Sequence, residues 1–336
     1  HSSEVSFDLP ISADNIFLLA RGSQSHGTVN IETSETGDDI KVHVTVSYFD
    51  RDILKPGAKV CLIQRKNGGV GVGIFTRNWI GRKWRGSELY FDTTVVIPRS
   101  AHGDKIRHIS GLETDFSNSP HYIGDLQGLI DFQYLNIKTS NALIHAESVR
   151  ATQGTFSSSN GPIEGIFNTS DHLFLKTTNA RIKVDVGLQN DDTRVTSLKL
   201  STTNNKLEAN VNLVSSSKTG GRYTTAASTT NAPLRLNFPA SPVNSSLKLS
   251  ATTSNSPASI SLHPSYEGSF QLSTTQFLPE LLRRDVEDPS GKGRERKVSV
   301  DYVNRRSLKG SVSWSDNEGP GSITLRSTNA HVSLEL

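Results

Sequence analysis

Two tryptophans and four cations crowd one short stretch of this chain: Arg77, Trp79, Arg82, Lys83, Trp84 and Arg85. Aromatic faces among guanidinium and ammonium groups can hold a sugar ring, an acidic polymer or a nucleic acid. The plainer reading is a solvated β-loop whose indole rings cover the end of a core, and residue types alone favour it. The stretch is still the best local candidate for a ligand-binding surface.

Catalytic chemistry is harder to assemble. A glycosidase needs two carboxyl groups at a defined separation. Glu164, Asp185 and Glu208 occupy outward positions of predicted strands, but Lys183 sits among them in register, as on a charge-balanced sheet surface. Asp191 and Asp192 lie together in a predicted loop, yet the glycine-rich nonapeptide of calcium-loaded β-rolls is absent. The ten histidines show no His-x-x-x-His spacing for a metal. An amino-terminal His1 could chelate copper in a histidine brace, but enzymes that do so are compact β-sandwiches, unlike the pattern below. No Ser-His-Asp spacing, P-loop or dinucleotide-binding glycine pattern is present. The expectation is therefore no catalytic residue, no metal and no cofactor.

Composition narrows the class further. The net charge of +3 has mixed signs, which gives no electrostatic case for nucleic acid. A hydrophobic content of 34% is low for a globular protein but suits strands with one wet face. No apolar run spans a bilayer, so membrane attachment would need a segment outside this chain. Cys61 is the single cysteine, so no intrachain disulfide forms. The chain contains no methionine and is not expected to begin at its own initiator. Asn168-Thr169-Ser170 and Asn244-Ser245-Ser246 are glycosylation sequons, meaningful in a secreted protein.

The elements that must position these residues are set by a repeat. Lys176-Thr177-Thr178-Asn179-Ala180 is followed by Ile182, Val184 and Val186, alternating with polar residues. Corners of this kind recur at Asn118, Asn141, Asn160, Asn204, Asn231, Asn255 and Asn329, most preceded by two Ser/Thr residues. Three residues after the asparagine stand Ile144, Ile163, Ile182, Leu207, Leu234, Ala258 and Val332. Alternation of period two on both sides makes each unit a strand, a corner and a strand. From Asn141 to Asn255 the asparagines are 19, 19, 25, 27 and 24 residues apart, which fits coils of a solenoid with loops of varying length. Asn141, Asn160, Asn179, Asn204, Asn231, Asn255 and Asn329 are expected to stack as an amide ladder at the corners. Two features misfit: His121 and Asp125 fall where apolar residues should follow Asn118. Phe270 to Gln276 reads as a hidden copy with Gln276 in the asparagine place.

The predicted fold is an all-β, elongated parallel β-solenoid. Residues 1–110 form an irregular N-terminal β section continuous with it, and residues 111–336 form the repeat solenoid. A charged loop at 283–297 interrupts the repeats and is expected to be mobile, with a short helix over 277–282 before it. For the last strand, from His331 to Leu336, two arrangements are expected: either the charged stretch 283–297 folds back over it, or it ends the stack uncovered, which would permit head-to-tail self-association.

Val60-Cys61-Leu62-Ile63, Gly71-Val72-Gly73-Ile74-Phe75-Thr76 and Ser159-Asn160-Gly161-Pro162-Ile163-Glu164-Gly165 resemble basidiomycete fungal members of an adhesin-like family of parallel β-solenoid proteins, largely uncharacterised. The resemblance implies an extracellular or cell-surface location and offers no catalytic residues to transfer. The expected function is non-enzymatic: binding a wall polysaccharide, a surface protein on another cell, or itself. The alternative is a carbohydrate-active lyase or hydrolase on a β-helix scaffold.

Overall fold

The structure is a computed structural model that describes residues 1–35, 37–49, 54, 57–77, 89–101, 105–217, 219–314 and 319–336, side chains 302 and 303 excepted. The chain forms two compact units, His1–Gly165 and Ile166–Leu336, dividing inside the repeated segment. Both are all-β, and their strands are largely parallel.

The strands of the first unit are β1 (Ser2–Pro10), β2 (Asn15–Arg21), β3 (His26–Ser34), β4 (Asp39–Tyr48), β5 (Ala58–Gln64), β6 (Gly69–Thr76), β7 (Leu89–Pro98), β8 (Arg107–Asp115), β9 (His121–Asp125), β10 (Ile130–Lys138) and β11 (Ile144–Ser157). They form two ladders. One runs β1–β4–β7–β3–β9–β11. The other runs β5–β6–β2–β8–β10–β11. β11 serves both because its beginning pairs with β9 and its end with β10. Period-two alternation turns one side chain in two inward, and register stacks those into columns. Phe7, Val42, Val95, Ile31, Ile123 and Ala146 form one such column.

In the second unit β12 (Ile163–Lys176) straddles the division, and β13 (Ile182–Asn190), β14 (Thr196–Ser201), β15 (Leu207–Ser215), β16 (Arg222–Ser228), β17 (Leu234–Ala240), β18 (Ser246–Thr253) and β19 (Ala258–Ser261) follow. From β12 to β17 each pairs in parallel with the strand two further on, so the chain alternates between two ladders. Ile182, Leu207, Leu234, Ala258 and Val332, the residues three past each asparagine, are successive register partners, and all are buried. Gly161 stands where Ala142, Ala180, Ala232 and Ala330 stand in other corners: a Cβ there would lie 1.6 Å from the Ala142 carbonyl oxygen, so at this corner the backbones approach too closely for a side chain.

The remaining strands are β20 (Gly268–Ser273), β21 (Glu280–Leu282), β22 (Lys297–Asn304), β23 (Ser307–Ser313), β24 (Gly321–Ser327) and β25 (Val332–Glu335). Their spatial order departs from chain order. β24 lies between β18 and β20, and β25 between β19 and β21. One ladder of the unit thus runs β12–β14–β16–β18–β24–β20–β23–β22 and the other β13–β15–β17–β19–β25–β21.

Two expectations are corrected by this arrangement, one of two alternatives for the last strand is met, and the charged loop takes a definite form. The sheet is mixed: β1–β4, β4–β7, β5–β6, β20–β23 and β22–β23 are antiparallel. Glu280–Leu282 is a strand, not part of a helix, because β25 offers it a parallel partner. β25 is not an open edge, since β21 covers it and the Arg284 amide continues the pairing to the Leu336 carbonyl at 2.9 Å. The charged loop is folded around one carboxylate. Asp288 accepts hydrogen bonds from the Ser290 and Arg294 amides at 2.9 and 3.0 Å, and the Arg294 guanidinium closes on it at 2.9 Å.

Candidate functional site

The corners are built from two sets of side chains. Along each set of corners an asparagine donates from Nδ2 to the Oδ1 of the asparagine at the neighbouring corner. In the first unit Asn160 reaches Asn141 and Asn141 reaches Asn118, both at 2.7 Å. In the second unit Asn204 reaches Asn179 and Asn231 reaches Asn204 at 2.7 Å, while Asn255 reaches Asn231 and Asn329 reaches Asn255 at 2.8 Å. Gln276 Nε2 lies 3.5 Å from Asn329 Oδ1, in the place the hidden copy assigns it. None of these asparagines is in the left-handed region, which outside glycine holds only Asp192 (φ 66°) and Asn244 (φ 65°) among the described residues. Amide stacking, rather than tolerance of positive φ, is what selects asparagine here.

The hydroxyl two residues earlier turns inward. Thr139, Ser158, Thr177, Thr202, Thr229, Thr253, Thr274 and Ser327 are all buried. Thr202 donates to the Ala180 carbonyl at 2.9 Å, and Thr229 to the Ala232 carbonyl at 2.5 Å. These hydroxyls satisfy corner carbonyls that the strands leave unpaired. The motif is therefore occupied by the demands of the fold.

Of the aromatic and cationic cluster, Arg77 is exposed and its backbone is held by the Gly57 carbonyl and the Ser23 hydroxyl. Trp79, Arg82, Lys83, Trp84 and Arg85 lie outside the described residues. Among the carboxylates, Asp185 accepts from Asn210 at 2.7 Å, and Glu208 lies 4.0 Å from Arg235. Asp191 is held below the usual carboxylate range by hydrogen bonds from the Thr193 side chain and amide, which close the turn. The His1 amino group donates to the Tyr48 carbonyl at 3.1 Å. Among the described residues no three His, Cys, Asp or Glu side chains gather as a metal site. Asn244 is exposed in a turn, whereas Asn168 is half-buried within β12.

His121 has a physical place despite misfitting the repeat. It is fully buried, with Val29 and Ile144 as register partners. Its Nε2 is 2.9 Å from the Thr114 hydroxyl on the opposite ladder of the first unit. Burial lowers its pKa to about 4, against opposing contributions from the Ser119 backbone and the Asp115 charge. It is a neutral core histidine.

The feature that sequence reading missed is a concavity of about 560 Å³ in the second unit. Gln271 from β20, Asp301 from β22, Lys309 and Ser311 from β23, and Ser322 and Thr324 from β24 line it. Gln271, Thr324, Lys309 and Asp301 form one row across four strands. The signal was hidden because β24 comes from beyond the charged segment yet lies against β18. Hydroxyls, an amide, one ammonium and one carboxylate can hydrogen-bond a polyhydroxylated ligand. Asp301 is the one carboxylate among the residues lining it, so the carboxyl pair of a glycosidase is not assembled there.

Fold and surface together define an all-β protein with largely parallel ladders and polar outward faces. Residues 188–286 match the model of a domain of unknown function, DUF7330. No curated protein matches the chain. Similar solved structures carry provisional designations. A cell adhesion protein of Clostridium sporogenes is 9% identical, with a TM-score of 0.21 over 100% of this chain and 99% of that one. An adhesin of Bacteroides fragilis is 11% identical, with a TM-score of 0.28 over 99% of this chain and 96% of that one.

Proposed function

We propose that this chain is a non-enzymatic, adhesin-like binding protein of the cell surface or extracellular space, its repeats forming the coils of a β-solenoid. One observation carries the reading: outward side chains stand in register columns, repeated at every strand of a ladder. Strands in a sheet are about 4.8 Å apart, so such a face presents side chains at a polymer-like interval. A periodic surface engages a periodic ligand through many weak contacts. The ligand is a wall polymer, with the concavity over β20, β22, β23 and β24 as one point of contact. The exposed sequon at Asn244 agrees with an extracellular setting. The resemblance carried by residues 60–63, 71–76 and 159–165 supports a basidiomycete fungal source.

A glycan array with the purified chain, joined to a sedimentation assay with isolated cell walls, tests the reading. Retention on wall material and on a polymeric glycan, with no shortening of that glycan on prolonged incubation, is the expected result. Depolymerisation would favour the carbohydrate-active enzyme, and failure to bind walls or glycans would remove the binding role.

A further inference from the structure

The register of the second unit sorts charges in a way the net charge hides. The ladder β13–β15–β17–β19–β25–β21 carries both signs on its outward face. Lys183 stands opposite Glu208, which approaches Arg235, and Glu335 pairs with Arg284 at 3.3 Å. The ladder β12–β14–β16–β18–β24–β20–β23–β22 does not. Its outward positions hold Lys176, Lys199, Arg222, Lys248, Arg326, Lys309 and Lys297, all exposed, and none of the first six makes an ion pair among the described residues. Asp301, on the last strand, is the one carboxylate at its outward positions.

The cations are ordered along the ladder. Lys176 and Lys199 lie on neighbouring strands, β12 and β14. Lys248 and Arg326 lie on the neighbours β18 and β24, and β16 between the two pairs carries Arg222 at its start. Lys309 follows two strands beyond Arg326. Between them the face presents hydroxyls, among them Ser197, Thr224, Ser250, Ser322, Ser269 and Ser311. The concavity described above opens on this face.

We propose that this face binds an acidic polysaccharide. The proposal rests on the binding role above and names its ligand class. Ammonium and guanidinium groups a few strand spacings apart meet carboxylates carried along a chain, and the hydroxyls between them exchange hydrogen bonds with sugar hydroxyls. A single-stranded nucleic acid would need exposed aromatic faces for its bases. Phe174, the aromatic side chain at a described outward position, instead lies beneath the Lys199 ammonium at 5.2 Å. The face is legible only in register: its cations are scattered from residue 176 to residue 326 and are brought onto one ladder by strand pairing.

The test is titration of the full chain with polygalacturonate, neutral dextran and poly(dT), followed by calorimetry. Polygalacturonate should bind, and its affinity should fall about tenfold or more between about 0.05 and about 0.5 M salt, because exposed charges are screened. Lys199→Ser with Lys248→Ser should weaken binding about tenfold, while Lys183→Ser with Arg235→Ser on the mixed-charge ladder leaves it unchanged. Circular dichroism confirms that both variants fold. Tighter binding of poly(dT), or equal loss in both variant pairs, overturns the proposal. Binding of dextran or cell walls without polygalacturonate also overturns it, yet leaves the broader binding role standing. Absence of binding to all of these and to walls removes both.

Discussion

A buried imidazole makes the first unit sensitive to acid. His121 has a folded pKa of about 4 against an ordinary 6.5, so the unfolded chain takes up the proton first. Stability is fully present above pH 6.5, is lost as pH falls between 6.5 and 4, and levels off below. The shift corresponds to about 3 kcal/mol over the whole window. His121→Leu combined with Thr114→Val removes the titrating ring and the hydroxyl it would leave unpaired. Urea melts at pH 7 and pH 4.5 should differ by about 2–3 kcal/mol for the natural chain and much less for the double variant. An identical pH dependence in both would show that His121 is not the titrating group. The ladder amides allow a second residue-scale expectation. Asn231 donates to Asn204 and accepts from Asn255, so Asn231→Asp keeps the acceptor and loses the donor. A cost of about 1 kcal/mol is expected from a chemical melt, because the bond is exposed. Thr230, whose side chain enters no corner hydrogen bond described above, is the control position. Residue roles were unevenly legible. The inward alternation and the amide stacking followed from spacing alone. The burial of His121 did not, because a histidine in an apolar column is explained only by Thr114 across the core.

Elements formed by local alternation were readable, and elements formed by distant pairing were not. β13 to β19 match the predicted strands because their side chains alternate and their corners carry asparagine. β21 is short and follows Pro279 in an apolar stretch, and only pairing with β25 makes it a strand. The charged segment shows the same limit, since its abundance of ions suggests a solvated loop. Asp288 gathers it instead: the Arg294 guanidinium beside it, with backbone amides, holds its carboxyl far below the usual carboxylate range. Arg294 also lies 3.6 Å from Glu267, whose carboxylate accepts the Trp314 amide at 2.9 Å, so the segment is tied to the sheet. The pKa is depressed, so this stabilisation is present above the ordinary carboxylate pKa and is lost as pH falls below it. Asp288→Asn should leave the strands intact and speed tryptic cleavage at Lys292 and Arg294, read by mass spectrometry of the first fragments. Cleavage at unchanged rate in the variant would mean that the carboxylate does not organise the segment.

At the scale of the whole molecule, the second unit manages its own growth. Parallel ladders left open would offer backbone groups to another chain. Among the described residues one ladder of this unit closes on β21, which is three residues long. The other closes on β22, which carries Lys297 and Asp301 on its outward side and reverses direction against β23. Short and charged edges of this kind oppose strand addition. The last strand in sequence is interior instead: Val332 and Leu334 are fully buried between β19 and β21. Lysines at these two positions therefore act on stability, not on assembly. Val332→Lys with Leu334→Lys should unfold the second unit, because two ammonium groups in an apolar stack cost several kcal/mol each. Lys297→Val with Asp301→Val should keep the fold and promote concentration-dependent association in sedimentation velocity, with the natural chain sedimenting as a single slow species under the same conditions. Association of the natural chain that the β22 variant leaves unchanged would show that some other surface joins the copies. A folded, soluble Val332→Lys, Leu334→Lys variant would show that β25 does not lie within the stack.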